Sequence, residues 1–364
     1  MAETILKNEE RIAYALRALY QRYGYRSYKM SKFEEYDLYV QNKDFLVGDG
    51  VITFNDTDGK LLALKPDVTL SIIKNDGDVA GKRKVSYHEN VYRISDKTKQ
   101  FKEIMQTGLE CIGDIDAYDV YETLYLAAGS LAEISKNFVL DISHAGIVSA
   151  VLARINKGEK FSKEAMQKIA EKNTHDLQAL CDKYQVSTAD KEKLLVLVSA
   201  YGAPKKVLEK LSSICNYVDE QKALNALKTL CDMLGKTEYE KNIRIDFSVI
   251  NDMNYYDDIV FKGFVDGIGA GVLSGGRYDK MLSRMGRKSG GIGFAVYLDG
   301  LETFQKEKRD TDVDVLVLYD ENTDLNDLAN RVKAYANTGK SVSAQKTKEG
   351  LRYAEMIDIT GGSK

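Results

Sequence analysis

Five glycines fall within the ten positions from Gly267 to Gly276, and Arg277-Tyr278-Asp279 follows directly. A glycine run of this density either cradles a phosphate with its backbone N–H groups or turns a chain. The dinucleotide fingerprint needs Gly-x-Gly-x-x-Gly between a strand and a helix, but Gly267, Gly269 and Gly271 are followed by Val272, Leu273 and Ser274, and no Gly-Lys-Ser/Thr follows. With the β-rich "DIVFKGFV" before it and "GVLSGGRYD" after it, the run predicts a hairpin whose glycines supply positive φ.

Other residues have the right chemistry for a site. Glu110 stands between apolar residues in "TGLECIG", where a carboxylate is costly to bury without a partner, and this marks it as a pocket acid. Asp67 follows Pro66 and precedes Val68-Thr69, which alone reads as a turn or a helix cap. Arg93 alone reads as a strand-end arginine. Tyr255 and Tyr256 read as strand residues with one ring in the core, since a chain with 23 tyrosines and no tryptophan uses tyrosine as common filler. His144 is predicted to cap a helix that follows a strand, while His88 and His175 carry no further signal. Lys99 and Lys102 are either solvated charges or contacts to a partner. The four cysteines lie in apolar or helical stretches with no Cys-x-x-Cys, so neither a metal site nor a disulfide framework is expected.

The elements that must position these residues fall into three blocks. In residues 1–157, apolar residues at helical spacing (Ile12, Ala15, Leu16, Leu19) predict an opening helix, with a strand and loop in "YGYRSYKMSKFEEYDLY". Alternation around "DTDG" predicts a hairpin, "SYHENVYRI", "EIMQTGLECIG" and "NFVLDIS" predict strands, and "DAYDVYETLYLAAGSLAEIS" predicts a long amphipathic helix. Residues 158–239 are Lys/Glu-rich with apolar residues at three-to-four spacing, a helical module. Strands return in 240–308 ("NIRIDFSVI", "DIVFKGFV", "GIGFAVYLDGL"), so the module reads as inserted into one sheet domain, and 309–364 reads as a small α/β tail. The fold class is α+β, an antiparallel sheet with flanking helices.

A formal net charge of −3 gives no electrostatic case for nucleic acid or an anionic membrane, and no run approaches the 18 apolar residues of a span. A cytoplasmic protein is expected.

Read in order from about residue 8 to 305, several segments resemble histidyl-tRNA synthetases. "LALKPDVT" resembles their Leu-Arg-Pro-Glu-Gly-Thr, "VYRI" with "EIMQTGLECIG" their motif 2 and the strand after it, and "DISHAG" their Ile-Gly-His-x-Gly. "MNYYDDIVF" resembles their Arg-Gly-Leu-Asp-Tyr-Tyr, and "SGGRYDKML…GIGFAVYLDGL" their Gly-Gly-Arg-Tyr-Asp turn leading to motif 3. The resemblance implies a class II aminoacyl-tRNA synthetase-like fold in which the glycines and Arg277 wall an amino-acid pocket. It places Asp67 and Thr69 on the ammonium group, Gln106 and Glu110 against the amino acid, Tyr255 and Tyr256 around an imidazole, and Arg93 at the motif 2 arginine.

Where the synthetases use three arginines to stabilise charge on the α-phosphate of ATP, this chain keeps one. The arginine opening Arg-Gly-Leu-Asp-Tyr-Tyr falls on Asn251, the motif 3 arginine on Gly300, the adenine-holding glutamate near Ser95, and the motif 1 proline on Ser31. Each missing cation is worth roughly several kcal/mol in the transition state, so no catalytic residues and no cofactor are expected. A histidine pocket without the ATP arginines, and an acidic, short tail in place of an anticodon-binding domain, resemble the regulatory subunits of ATP phosphoribosyltransferase. That implies a homodimer, joined through the N-terminal helix and strand, inside a hetero-oligomer, often a hetero-octamer, with the short catalytic subunit, and histidine as effector. The alternatives are a divergent histidyl-tRNA synthetase and a stand-alone amino-acid-binding module.

Overall fold

The computed structural model describes residues 6–42, 50–75, 81–94, 98–252, 256–301, 304 and 311–361, with 251 and 252 described in backbone only. The chain divides into two compact units, residues 8–304 and residues 1–7 with 305–364.

In the larger unit, helix α1 (Asn8–Arg22) buries Ile12, Leu16, Leu19 and Tyr20, one stripe at helical spacing. Strand β1 (Arg26–Ser27) is followed by β2 (Phe33–Glu35), and "YDLYVQ" then forms helix α2 (Tyr36–Gln41) where a strand and loop were expected. Its aromatic and β-branched residues suit a strand in isolation, but burial of Leu38 and Tyr39 on one side settles a single helical turn and a half. The "DTDG" hairpin is present: β3 (Thr53–Asn55) and β4 (Leu61–Leu64) pair antiparallel, with Gly59 at φ +84° in the turn. Helix α3 (Val68–Asn75) follows, and then the two long strands β5 (Lys82–Ile94) and β6 (Phe101–Gly113).

Helix α4 (Ala117–Ile134) is the central helix of the core. Asp116 caps it, accepting from the backbone N–H of Tyr118 and Asp119, and the Asp119 side chain returns a bond to the Asp116 N–H. Strand β7 (Phe138–His144) runs straight into helix α5 (Ala145–Ile155), and His144 caps that helix as expected, its Nδ1 accepting from the Gly146 N–H at 3.1 Å.

Residues 158–239 hold helices α6 (Glu159–Ala170), α7 (Thr174–Lys183), α8 (Thr188–Ser199), α9 (Pro204–Ile214) and α10 (Val218–Leu234). A buried ion pair, Lys193 to Glu220 at 3.0 Å, with Arg154 of α5 3.3 Å from the same glutamate, ties α8 and α10 to α5. The module also contributes a strand that was not expected, β8 (Tyr201–Gly202). It pairs with β9 (Ile243–Asp246), beyond which lie a 3₁₀ turn (Phe247–Asp252), β10 (Ile259–Val265), β11 (Leu273–Arg277), α11 (Asp279–Arg284) and β12 (Gly290–Tyr297).

Nine strands form one sheet in the order β1-β5-β6-β12-β11-β10-β7-β9-β8, antiparallel except at β1–β5 and β7–β9. Strands β2, β4 and β3 make a separate three-stranded sheet. The glycine run does turn a hairpin, since β10 and β11 pair from Val260↔Gly276 to Gly263↔Leu273. The reason expected for its glycines is corrected, however, because among them only Gly267 has positive φ (+87°). Gly275 and Gly276 are glycine for lack of room: a Cβ on Gly275 would stand 2.4 Å from the Gly293 carbonyl oxygen, and one on Gly276 2.5 Å from the Tyr256 ring.

In the smaller unit, β13 (Val313–Leu318) lies between β14 (Val342–Gln345) and β15 (Tyr353–Asp358), parallel to both, with helix α12 (Leu325–Asn337) capped by Asp324. The expected strand, helix and strand are there, with β15 added. Among the described residues no helix is long and apolar enough to cross a membrane.

Candidate ligand site

Side chains alternate across a strand, so the register of four strands decides which residues meet. Gln106 of β6 stands opposite Tyr297 of β12, Gly108 opposite Ala295, and Glu110 opposite Gly293. On the outer side of β12, Ser274 and Gly276 of β11 pair with Ala295 and Gly293, and on the far side of β6, Tyr87 of β5 pairs with Gly108. These alternate positions share one face of the sheet, and Asp67, Thr69, Arg93, Tyr256 and Tyr278 come over it to enclose a cavity.

Glu110 is its most buried acid, with 2% of its surface exposed. The Thr69 hydroxyl donates to Oε1 at 2.6 Å, and the Tyr278 hydroxyl donates to Oε2 at 2.6 Å. Gly293 leaves the space, because a Cβ there would sit 1.8 Å from Oε2. Burial pushes the Glu110 carboxyl up to about 8, and the neighbouring Asp67 adds to the rise, against the two hydroxyl donors.

Asp67 is a helix cap, as its sequence context reads, and it also lines the cavity. One oxygen accepts the Leu70 N–H at 2.9 Å and caps α3, while the other lies 3.7 Å from an Arg93 guanidinium nitrogen. Burial raises its pKa more than Arg93 and the two backbone N–H bonds lower it. Arg93 is itself oriented by donating from Nε to the Pro66 carbonyl at 2.8 Å. Gln106 is buried in the cavity wall.

Six of the expected residues therefore meet here: Asp67, Thr69, Arg93, Gln106, Glu110 and Tyr256. Arg277 does not line the cavity, because period-two alternation along β11 sends it to the face opposite Ser274. There it donates from Nε and Nη2 to Asp279 at 2.9 and 2.8 Å. Tyr255 and Ser95, and the side chain of Asn251, lie outside the described residues. Sequence reasoning missed Tyr87, Ser274, Tyr278 and Tyr297. Tyr278 did have a signal, since it is the central residue of the Arg-Tyr-Asp turn.

The cavity presents two buried carboxyl groups, a carboxamide and several phenols, and Arg93 is the one Lys or Arg side chain among its described lining residues. Such a set suits a small zwitterion, with cationic nitrogens toward Asp67 and Glu110 and a carboxylate toward Arg93. Among the described residues, no three His, Cys, Asp or Glu side chains converge as a metal site.

An ATP phosphoribosyltransferase regulatory subunit from Oceanobacillus iheyensis is 28% identical over 285 residues, 77% of this chain and 70% of that one. A solved ATP phosphoribosyltransferase regulatory subunit/histidyl-tRNA synthetase from Bacillus halodurans C superposes with a TM-score of 0.81 at 23% identity, covering 97% of this chain and 94% of the other. A chain of the ATP phosphoribosyl transferase (HisG:HisZ) complex from Thermotoga maritima shares the fold at a TM-score of 0.64 and 16% identity, over 80% of this chain and 97% of that one. The family model described as histidyl-tRNA synthetase matches residues 2–301, which takes in every strand around the cavity, and the chain belongs to that family.

Proposed function

We propose that this chain is the non-catalytic regulatory subunit of ATP phosphoribosyltransferase, activating the short catalytic subunit in the cytoplasm and conveying feedback inhibition by histidine in the first step of histidine biosynthesis. The observation that carries the reading is the cavity itself. Asp67, Thr69, Gln106, Glu110 and Tyr256, five of the residues expected around an amino acid, line it, while Arg93 is the one guanidinium among its described lining residues and the motif 3 arginine position is Gly300. Charge developing on a phosphoryl group needs several fixed cations, and one arginine already shared with Asp67 is a poor match for that task. The Oceanobacillus iheyensis relative bears the regulatory-subunit name, and the Thermotoga maritima relative was solved in complex with its partner subunit.

In this reading residues 1–157 and 240–308 form the class II synthetase-like domain, 158–239 the inserted helical module and 309–364 a small truncated α/β C-terminal domain. The subunit works as a homodimer within a hetero-oligomer. Histidine inhibits by binding two states of that assembly unequally. Reconstitution tests it: a short catalytic subunit gains activity on addition of this chain, and histidine inhibits the mixture but not the catalytic subunit alone. Histidine-dependent ATP–pyrophosphate exchange by the isolated chain would overturn the proposal.

A further inference from the structure

Tyr256 forms part of the cavity wall but belongs to no helix or strand. Its ring lies against Gly276, and the two residues after it are held from three directions. The Asp257 N–H donates to the Arg277 carbonyl at 3.1 Å, the Asp258 carbonyl accepts the Ala145 N–H at 2.7 Å, and the Asp257 carboxylate accepts the Lys280 N–H at 2.7 Å. Side chains add a second tie. Because His144 Nδ1 accepts from Gly146, its proton is on Nε2, which donates to Asp258 Oδ1 at 2.8 Å. The other Asp258 oxygen is 3.6 Å from Arg277, and Arg277 is fixed in turn by Asp279, whose Oδ1 accepts the Gly291 N–H at 3.0 Å.

We infer that His144, Asp258 and Arg277 are positioning residues that fix the Tyr256 wall of the cavity from behind. The three come from the end of β7, the approach to β10 and the end of β11. They join the ends of strands on both sides of the segment that carries Tyr256, so a side-chain network reinforces the backbone hydrogen bonds that hold this segment in place of a helix or strand of its own. Arg277 thus acts on the ligand site without touching it. Asp258 is the centre of the network, since it takes the His144 proton on one oxygen and faces Arg277 with the other.

The test uses fluorotyrosine incorporated into the whole chain, with the Tyr256 ¹⁹F resonance identified by its loss in Tyr256→Phe. Asp258→Ala should shift and broaden that resonance while leaving the other tyrosines in place. Asp258→Asn, which keeps an acceptor for His144 Nε2, should largely restore it. An unmoved Tyr256 resonance in Asp258→Ala, or a general movement of tyrosine signals that Asp258→Asn does not reverse, overturns the inference. This readout needs no ligand, so it separates from the functional reading on which the ligand's identity rests. Calorimetry then measures histidine binding: about tenfold weaker in Asp258→Ala than in the unmodified chain, and recovered in Asp258→Asn, is expected. Unaltered affinity in Asp258→Ala also overturns it, whereas failure of the unmodified chain to bind histidine removes the functional reading and leaves the Tyr256 result to stand.

Discussion

Glu110→Gln isolates the cost of keeping a carboxyl group in the cavity. Burial moves this group from an ordinary value of 4.5 to about 8 in the folded chain. Below pH 4.5 both folded and unfolded chains carry the proton, and the group adds no pH dependence. Between pH 4.5 and 8 the unfolded chain loses the proton while the folded chain keeps it, so stability falls as pH rises. At about 1.36 kcal/mol per unit, the loss over this window is on the order of 5 kcal/mol. Glutamine imitates the neutral acid: it keeps one acceptor oxygen for Thr69 or Tyr278, and either hydroxyl can turn to accept from its amide. The variant should therefore match the unmodified chain near pH 5 and exceed it progressively up to pH 8, with the difference flat above that. Urea unfolding of both proteins, without ligand, at each pH unit from 5 to 9 measures it. A difference that does not change with pH would mean that Glu110 is ionised in the fold and that burial does not control it.

The same protonation makes histidine binding proton-coupled: the free imidazole is largely neutral at pH 7, so an imidazolium beside Glu110 takes its proton from that carboxyl, and binding should exchange little net proton with the buffer, read in calorimetry as a heat nearly independent of the buffer. Asp67→Ala should cost about 0.5 to 2 kcal/mol of stability through the lost α3 cap, and should weaken histidine roughly ten- to hundredfold, whereas unchanged affinity would place histidine elsewhere. Gly293→Ala puts a methyl group 1.8 Å from Glu110 Oε2 and 2.4 Å from the Leu109 carbonyl, so it should lower stability by about 1 to 3 kcal/mol and abolish histidine binding. A variant as stable and as tightly binding as the unmodified chain would contradict the described packing.

Much of the architecture was legible because its signals are local. The period of α1, the amphipathic pattern of α4 and the alternation around the "DTDG" turn all lie within a few residues of the elements they specify. Glu110 was legible for the same reason, as an acid among apolar neighbours. Arg277 was misplaced because which face of β11 it occupies depends on the register with β10 and β12, information held by strands far along the chain. Gly275, Gly276 and Gly293 have the same origin: each is small because of what lies across the sheet, and a glycine needed for space looks in sequence like one needed for φ. Tyr87 and Tyr297 were hidden by the abundance of tyrosine elsewhere. Helix α2 and strand β8 are too short for periodicity to declare them.

Strand β8 is only two residues long, yet it is the last strand on its side of the nine-stranded sheet. Beneath it, Ile243 and Ile245 of β9 are buried, and Asp246 takes an ion pair from Lys172, which also lies over the Tyr201 ring at 4.3 Å. No residue of 158–239 lines the cavity, but a chain trimmed of them would bare the hydrogen-bonding edge of β9, an open template for pairing with another molecule. A strand edge so exposed favours aggregation. A minimal binding fragment of this protein has to retain the helices for solubility's sake, or replace Tyr201 and Gly202 with another guard such as a lysine-bearing or proline-containing strand.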